Sequence, residues 1–125
     1  MRALIIDDSR AIRLILSRLM GELGIEAEQA ENGRAALDIL ETGQQFDFAL
    51  VDWNMPEMNG IEFVQAVRAE AKWAGMKLMM VTTETEMAQV VKALEAGANE
   101  YVMKPFTREV IAEKLSILGI EFPAA

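Results

Sequence analysis

The chain has 125 residues, of which 52% are hydrophobic, enough to form one core between a sheet and two layers of helices. Twenty acidic residues against 12 basic give a net charge of -8, which argues against nucleic acid as a partner. Cysteine and histidine are both absent, excluding thiolate chemistry, Ser-His or Cys-His catalysis and the commoner zinc sites, while the redox compartment stays open.

The first apolar run, residues 3–6, lacks polar alternation and reads as a strand covered on both faces; it ends at Asp7-Asp8. Four residues are too few for a signal peptide or a membrane span, so a cytoplasmic protein without membrane contact is expected. Ser9 suits the N-cap of a long helix in which Ile12, Ile15, Leu16, Leu19, Met20 and Leu23 share one face and Gly24 marks the stop. Residues 25–30 form the second strand candidate, followed by the stripe Ala36-Ile39-Leu40 and Gly43. Residues 46–51 form the third, ending at Asp52, followed by the stripe Ile61-Val64-Val67 and a stop at Gly75. Residues 78–81 form the fourth, ending at Thr82 and Thr83, and the helical stripe Met87-Val90-Val91-Leu94 runs on to Gly97. Residues 100–103 form the last strand, ending at Lys104-Pro105, with Ile111-Leu115-Leu118 and Gly119 closing the pattern.

Five strand–helix units therefore account for residues 1–125 as one domain, with no linker or output domain expected. The alternation implies right-handed crossovers and a parallel sheet: an α/β, doubly wound, five-stranded fold with helices on both faces. In such a sheet the carboxyl ends of all strands open onto one crevice. Asp7, Asp8, Asp52 and Lys104 should meet there, a set of oxygens suited to a hard divalent cation beside a cation suited to a phosphoryl group. An aspartate can act as a nucleophile toward phosphorus, but a dianionic group will not approach an acidic pocket until charge is neutralised. Mg²⁺ meets that need with about six oxygen ligands, several of them water.

Asp7-Asp8, Asp52 within Val51-Asp52-Trp53-Asn54-Met55-Pro56-Glu57-Met58-Asn59-Gly60, Thr82 after the fourth strand, and Tyr101 three residues before Lys104-Pro105-Phe106 form a joint pattern. The chain resembles the receiver domain of two-component response regulators in its single-domain, CheY-like form. The resemblance covers essentially the whole chain and implies a flavodoxin-like fold. It further implies that Asp8 and Asp52 bind Mg²⁺ directly, that Asp7 acts through a water, and that the Asn54 carbonyl completes the protein ligands. Asp52 would be phosphorylated, Lys104 and Thr82 would contact the phosphoryl oxygens, and Tyr101 would respond to Thr82 as a switch. The Lys104–Pro105 bond would be cis.

The resemblance also implies a histidine kinase or histidine phosphotransfer protein as donor. The output would be a contact with an effector, such as a flagellar motor component, through Val90, Tyr101 and Met103. The protein would be a monomeric phosphoacceptor switch, with only intrinsic autophosphorylation and autodephosphorylation. Asn54, Thr83 and Glu84 occupy positions that tune these kinetics: Asn54 and Glu84 predict rapid loss of the phosphoryl group, and β-branched Thr83 predicts restricted donor access. Two other functions remain open. A phosphate sink or shuttle would have no effector. A Mg²⁺-dependent aspartyl-phosphate phosphohydrolase would need a general acid two residues after the nucleophile, where this chain has Asn54. A flavodoxin-type cofactor site is disfavoured because the loop after the first strand is Asp7-Asp8-Ser9-Arg10, which would set carboxylates against a cofactor phosphate.

Overall fold

The computed structural model describes residues 1–83 and 87–121. Strands β1 Arg2–Ile6, β2 Glu26–Ala30, β3 Phe48–Val51, β4 Lys77–Thr82 and β5 Glu100–Met103 alternate with helices α1 Arg10–Glu22, α2 Gly33–Glu41, α3 Gly60–Arg68, α4 Met87–Ala96 and α5 Arg108–Ile117. The strands form one sheet in the order β2-β1-β3-β4-β5, with every pairing parallel. β2 and β3 therefore flank β1 on opposite sides, which opens a crevice between the ends of β1 and β3.

Period-two alternation within the central strands divides the core between the two faces. Leu4, Ile6, Ala49, Val51, Leu78 and Met80 pack with α2, α3 and α4 residues such as Leu40, Val64 and Ala93. Ala3, Ile5, Phe48, Leu50, Met79 and Val81 pack with Leu16, Met20, Ile111 and Leu115 of α1 and α5. Burial on both sides explains why β1, β3 and β4 read as unbroken apolar runs. The edge strands β2 and β5 keep exposed positions.

Helix starts follow side-chain caps. Ser9 Oγ accepts from the Ile12 N–H at 3.3 Å, Asn32 caps α2, Asn59 and Glu62 form a reciprocal capping box on α3, and Thr107 caps α5. Gly24, Gly43, Gly97 and Gly119 all have positive φ just beyond helix ends, as their placement in the sequence implies.

Some boundaries and faces differ from the sequence reading. The third helix stops at Arg68 rather than near Gly75, and a single 3₁₀ turn, Ala71–Trp73, fills the gap. The Arg68 guanidinium spans the gap: it donates to the carbonyls of Trp73, Ala74, Met76 and Gly97 and to Asn99 Oδ1, tying α3 to two connections at the amino ends of the strands. In α1, Leu16, Leu19 and Met20 are buried, whereas Ile15 is 51% exposed. The stripe expected to bury α4 is turned largely outward, with Met87, Val91 and Leu94 exposed, Val90 half-buried and Ala93 sealed against the core.

Candidate functional site

Register brings the acidic groups level. Ile6 pairs with Val51 across β1 and β3, so Asp7 and Asp52 each stand one residue beyond the same rung. Across β4 and β5, Thr82 pairs with Met103, and the Lys104 N–H donates to the Thr82 carbonyl at 2.9 Å, which carries Lys104 over the same crevice. The Lys104–Pro105 peptide is cis, as the resemblance implies.

One carboxylate oxygen from each of Asp7, Asp8 and Asp52 lies within 4.8 Å of the others. Asp7 and Asp52 are buried and Asp8 is exposed. Lys104 Nζ sits 2.8 Å from Asp7 Oδ2 and 3.5 Å from Asp52 Oδ1. The Trp53 N–H donates to Asp52 Oδ1 at 2.9 Å, and the Thr82 side chain, fully buried, also hydrogen-bonds Asp52. Burial pushes the Asp52 carboxyl above its usual range, and the Asp7 charge adds to the shift; Lys104, the Trp53 N–H and Thr82 oppose it. Three clustered carboxylates, of which Asp7 and Asp52 share one lysine, leave an excess of negative charge and all-oxygen donors. That chemistry fits Mg²⁺, which Asp7, Asp8 and Asp52 would hold.

Close packing holds Asp52 in place. The Gly60 N–H donates to the Trp53 carbonyl at 2.9 Å, and a Cβ at position 60 would collide with the Asp52 carbonyl oxygen. A side chain there would displace the acidic residue, so the Gly at the start of α3 is a requirement of the site.

The other expected residues lie around this centre. Asn54 is exposed two residues beyond Asp52, and Thr83 is exposed and lines a shallow depression with Ile12, Ile15, Lys104, Pro105 and Phe106. Tyr101 is half-buried against the core layer of α2, α3 and α4, and Met103 is 48% exposed. Glu84 lies outside the described residues. A surface cleft between Phe46 and Trp73 belongs to the opposite end of the sheet and contains none of these groups. Sequence reasoning missed Gly60, although a Gly directly after the N-cap residue Asn59 was a signal for it.

A parallel α/β sheet with three aspartates, a lysine and a threonine at its switch point is the architecture of a phosphoacceptor switch. The chain matches the response regulator receiver domain over residues 3–116 and belongs to that family. It is 46% identical over 121 residues to the chemotaxis protein CheY homolog of Campylobacter jejuni, covering 95% of this chain and 93% of that protein. It is 40% identical to the chemotaxis protein CheY1 of Helicobacter pylori, over 94% and 96% of the two chains. The structure of CheY4 of Vibrio cholerae superposes with a TM-score of 0.87 at 35% identity, covering 93% of this chain and 96% of that one. A receiver of this family is a phosphoacceptor switch rather than a turnover enzyme.

Proposed function

We propose that this receiver accepts a phosphoryl group on Asp52 from a phosphohistidine donor and signals in a chemotaxis-type pathway, as one domain acting alone in the cytoplasm. The observation that carries the reading is the contact set of Lys104, whose Nζ lies 2.8 Å from Asp7 and 3.5 Å from Asp52. In transfer, an Asp52 carboxylate oxygen attacks phosphorus, the P–N bond breaks, and its electron pair leaves with the imidazole nitrogen. Lys104 pairs with one phosphoryl oxygen while the Thr82 hydroxyl donates to another. Asp7, Asp8, Asp52 and the Asn54 carbonyl would hold Mg²⁺, which when bound neutralises charge between the carboxylates and the incoming group. Water attack on the acyl phosphate releases inorganic phosphate and returns free Asp52, and small phosphoryl donors replace phosphohistidine in the forward step.

The output reading rests on Met87, Val91 and Leu94 of α4 with Met103 of β5, all exposed and apolar. With Val90 and Tyr101 they suit a protein effector, and the names of the relatives favour one in motility control, such as a flagellar motor component. Activation is a shift between two states in which Thr82 moves toward the phosphoryl group and the Tyr101 ring follows.

The direct test is incubation with acetyl phosphate and Mg²⁺, with Asp52 phosphorylation read by intact mass. Mg²⁺ at ten times its dissociation constant should stabilise the fold by about 1.4 kcal/mol and change the emission of Trp53, the neighbour of Asp52, measured in a Trp73→Phe background. An unchanged melting temperature and spectrum in millimolar Mg²⁺ would sink the metal assignment. Thr83 sits at the rim beside Lys104, and its branched side chain has few rotamers with which to retreat. Thr83→Ala should therefore speed phosphorylation by acetyl phosphate about two- to fivefold, as expected for relieving roughly 0.5–1 kcal/mol of hindrance. Equal formation rates would refute the steric role.

A further inference from the structure

The Asp7–Asp8 peptide is held from the side facing away from the acidic crevice. The Asp7 N–H donates to the Ala30 carbonyl at 3.1 Å, continuing the ladder between β1 and β2, but β2 ends at Ala30. The Asp7 carbonyl, one step further on, is taken instead by the Arg13 side chain, whose Nη1 donates to it at 2.7 Å while Nε donates to Gln29 Oε1 at 3.3 Å. Arg13 belongs to the first turn of α1, anchored to the same loop by its N–H bond to the Ser9 carbonyl at 3.0 Å. Among the described residues its guanidinium pairs with no carboxylate; its side-chain partners are the Asp7 carbonyl and Gln29.

Asp8 needs such support. It is exposed, and among the described residues no donor holds its carboxylate, in contrast to Asp7 (Ser9 N–H and Lys104) and Asp52 (Trp53 N–H, Thr82 and Lys104). The Asp7 carbonyl and the Asp8 N–H belong to one planar peptide unit, so whatever fixes the carbonyl fixes the plane from which Asp8 departs. We propose that Arg13 is a positioning residue for Asp8, holding the Asp7 carbonyl so that the Asp8 carboxylate is presented to the divalent cation. The inference rests on the metal reading of Asp7, Asp8 and Asp52.

Electrostatics makes the proposal testable, because the two effects of losing Arg13 have opposite signs. Removing a cation beside an acidic pocket by itself strengthens binding of a divalent metal, whereas loosening the peptide weakens it. Mg²⁺ demands near-ideal octahedral geometry and Ca²⁺ tolerates irregular shells, so a positioning defect harms Mg²⁺ more.

The experiment titrates Mg²⁺ and Ca²⁺ against Arg13→Gln, Arg13→Lys and the control Arg18→Gln, reading Trp53 fluorescence in the Trp73→Phe background, with thermal melts in EDTA. Arg13→Gln should raise the Mg²⁺ Kd about tenfold, the usual scale for residues that orient metal ligands, and the Ca²⁺ Kd clearly less. Arg13→Lys, which keeps the charge but not the planar fork, should also bind Mg²⁺ more weakly than the parent. Arg18→Gln, which removes the same charge from an exposed position of the same helix, should not weaken binding. A Mg²⁺ Kd for Arg13→Gln equal to or below that of Arg18→Gln, or equal weakening of both metals, overturns the proposal. Should the Gln variant fail to fold, an unaltered Mg²⁺ Kd in Arg13→Lys overturns it instead. A parent protein silent to both cations would remove the metal reading itself, a separate outcome.

Discussion

Lys104→Ala should lower the melting temperature of the metal-free protein while tightening its hold on Mg²⁺. The lysine is 15% exposed at its side chain and Asp7 only 2%, and their atoms are 2.8 Å apart, so the pair is largely removed from water. Removing one partner leaves Asp7 a buried charge facing Asp52, which is 9% exposed at its side chain. Loss of one partner of a buried pair costs about 3–5 kcal/mol; partial access of water to Lys104 favours the lower end. For a chain of this size that is a fall of about 10 °C. Mg²⁺ then meets the same carboxylates without a competing ammonium, so its Kd should drop. Phosphorylation of Asp52 should slow by about a hundredfold, the usual effect of deleting one group that neutralises developing charge. Melts in EDTA, fluorescence titration and acetyl phosphate kinetics measure the three effects separately. A variant as stable as the parent would remove Lys104 from its structural role. Weaker Mg²⁺ binding would show that the ammonium orders the carboxylates more than it competes for them.

The central sheet was legible because β1, β3 and β4 are buried on both faces, and such strands cannot hide their character. Asp7, Asp52 and Lys104 were legible for the same reason: each directly follows an apolar run, and topology alone carries strand ends to one crevice. Helix faces were less so. Met87, Val91 and Leu94 repeat with helical period as well as any core stripe, yet only Ala93 is sealed in, because periodicity identifies a shared face without saying what covers it. The end of α3 was misplaced for another reason: Arg68 holds the segment beyond it through the carbonyls of Trp73, Ala74, Met76 and Gly97, and a bond to a residue 29 positions away leaves no local trace. Arg13 went unnoticed likewise. On a helix it reads as a solvated cation, and its link to Asp7 becomes visible only once β2 is seen to stop short of that carbonyl.

Asp52→Asn should stabilise the metal-free protein at neutral pH while abolishing phosphoryl acceptance, and the gain should fade in acid. The Asp52 carboxyl titrates above its ordinary value of 3.8, chiefly through burial and secondarily through Asp7. A raised folded pKa means that the native state holds this proton more tightly than the unfolded chain does. The associated stability is fully present below the unfolded value and is lost as pH rises through the folded one, so at pH 7 the ionised carboxylate weakens the fold. Asparagine removes that charge, its amide oxygen can still accept from the Trp53 N–H, and Lys104 retains Asp7 at 2.8 Å. Relief of about 1 kcal/mol, typical when a site built for function is neutralised, corresponds to roughly 4 °C in a chain of this length. Millimolar Mg²⁺ should narrow or reverse the difference, because only the parent keeps all three carboxylates for the metal. Thermal melts in EDTA at pH 7 and below pH 3.8 decide the matter. A variant less stable than the parent at pH 7, or a gap of constant size across that range, would show that the Asp52 charge is compensated within the fold. The acidic pocket would then impose no stability cost on the metal-free receiver.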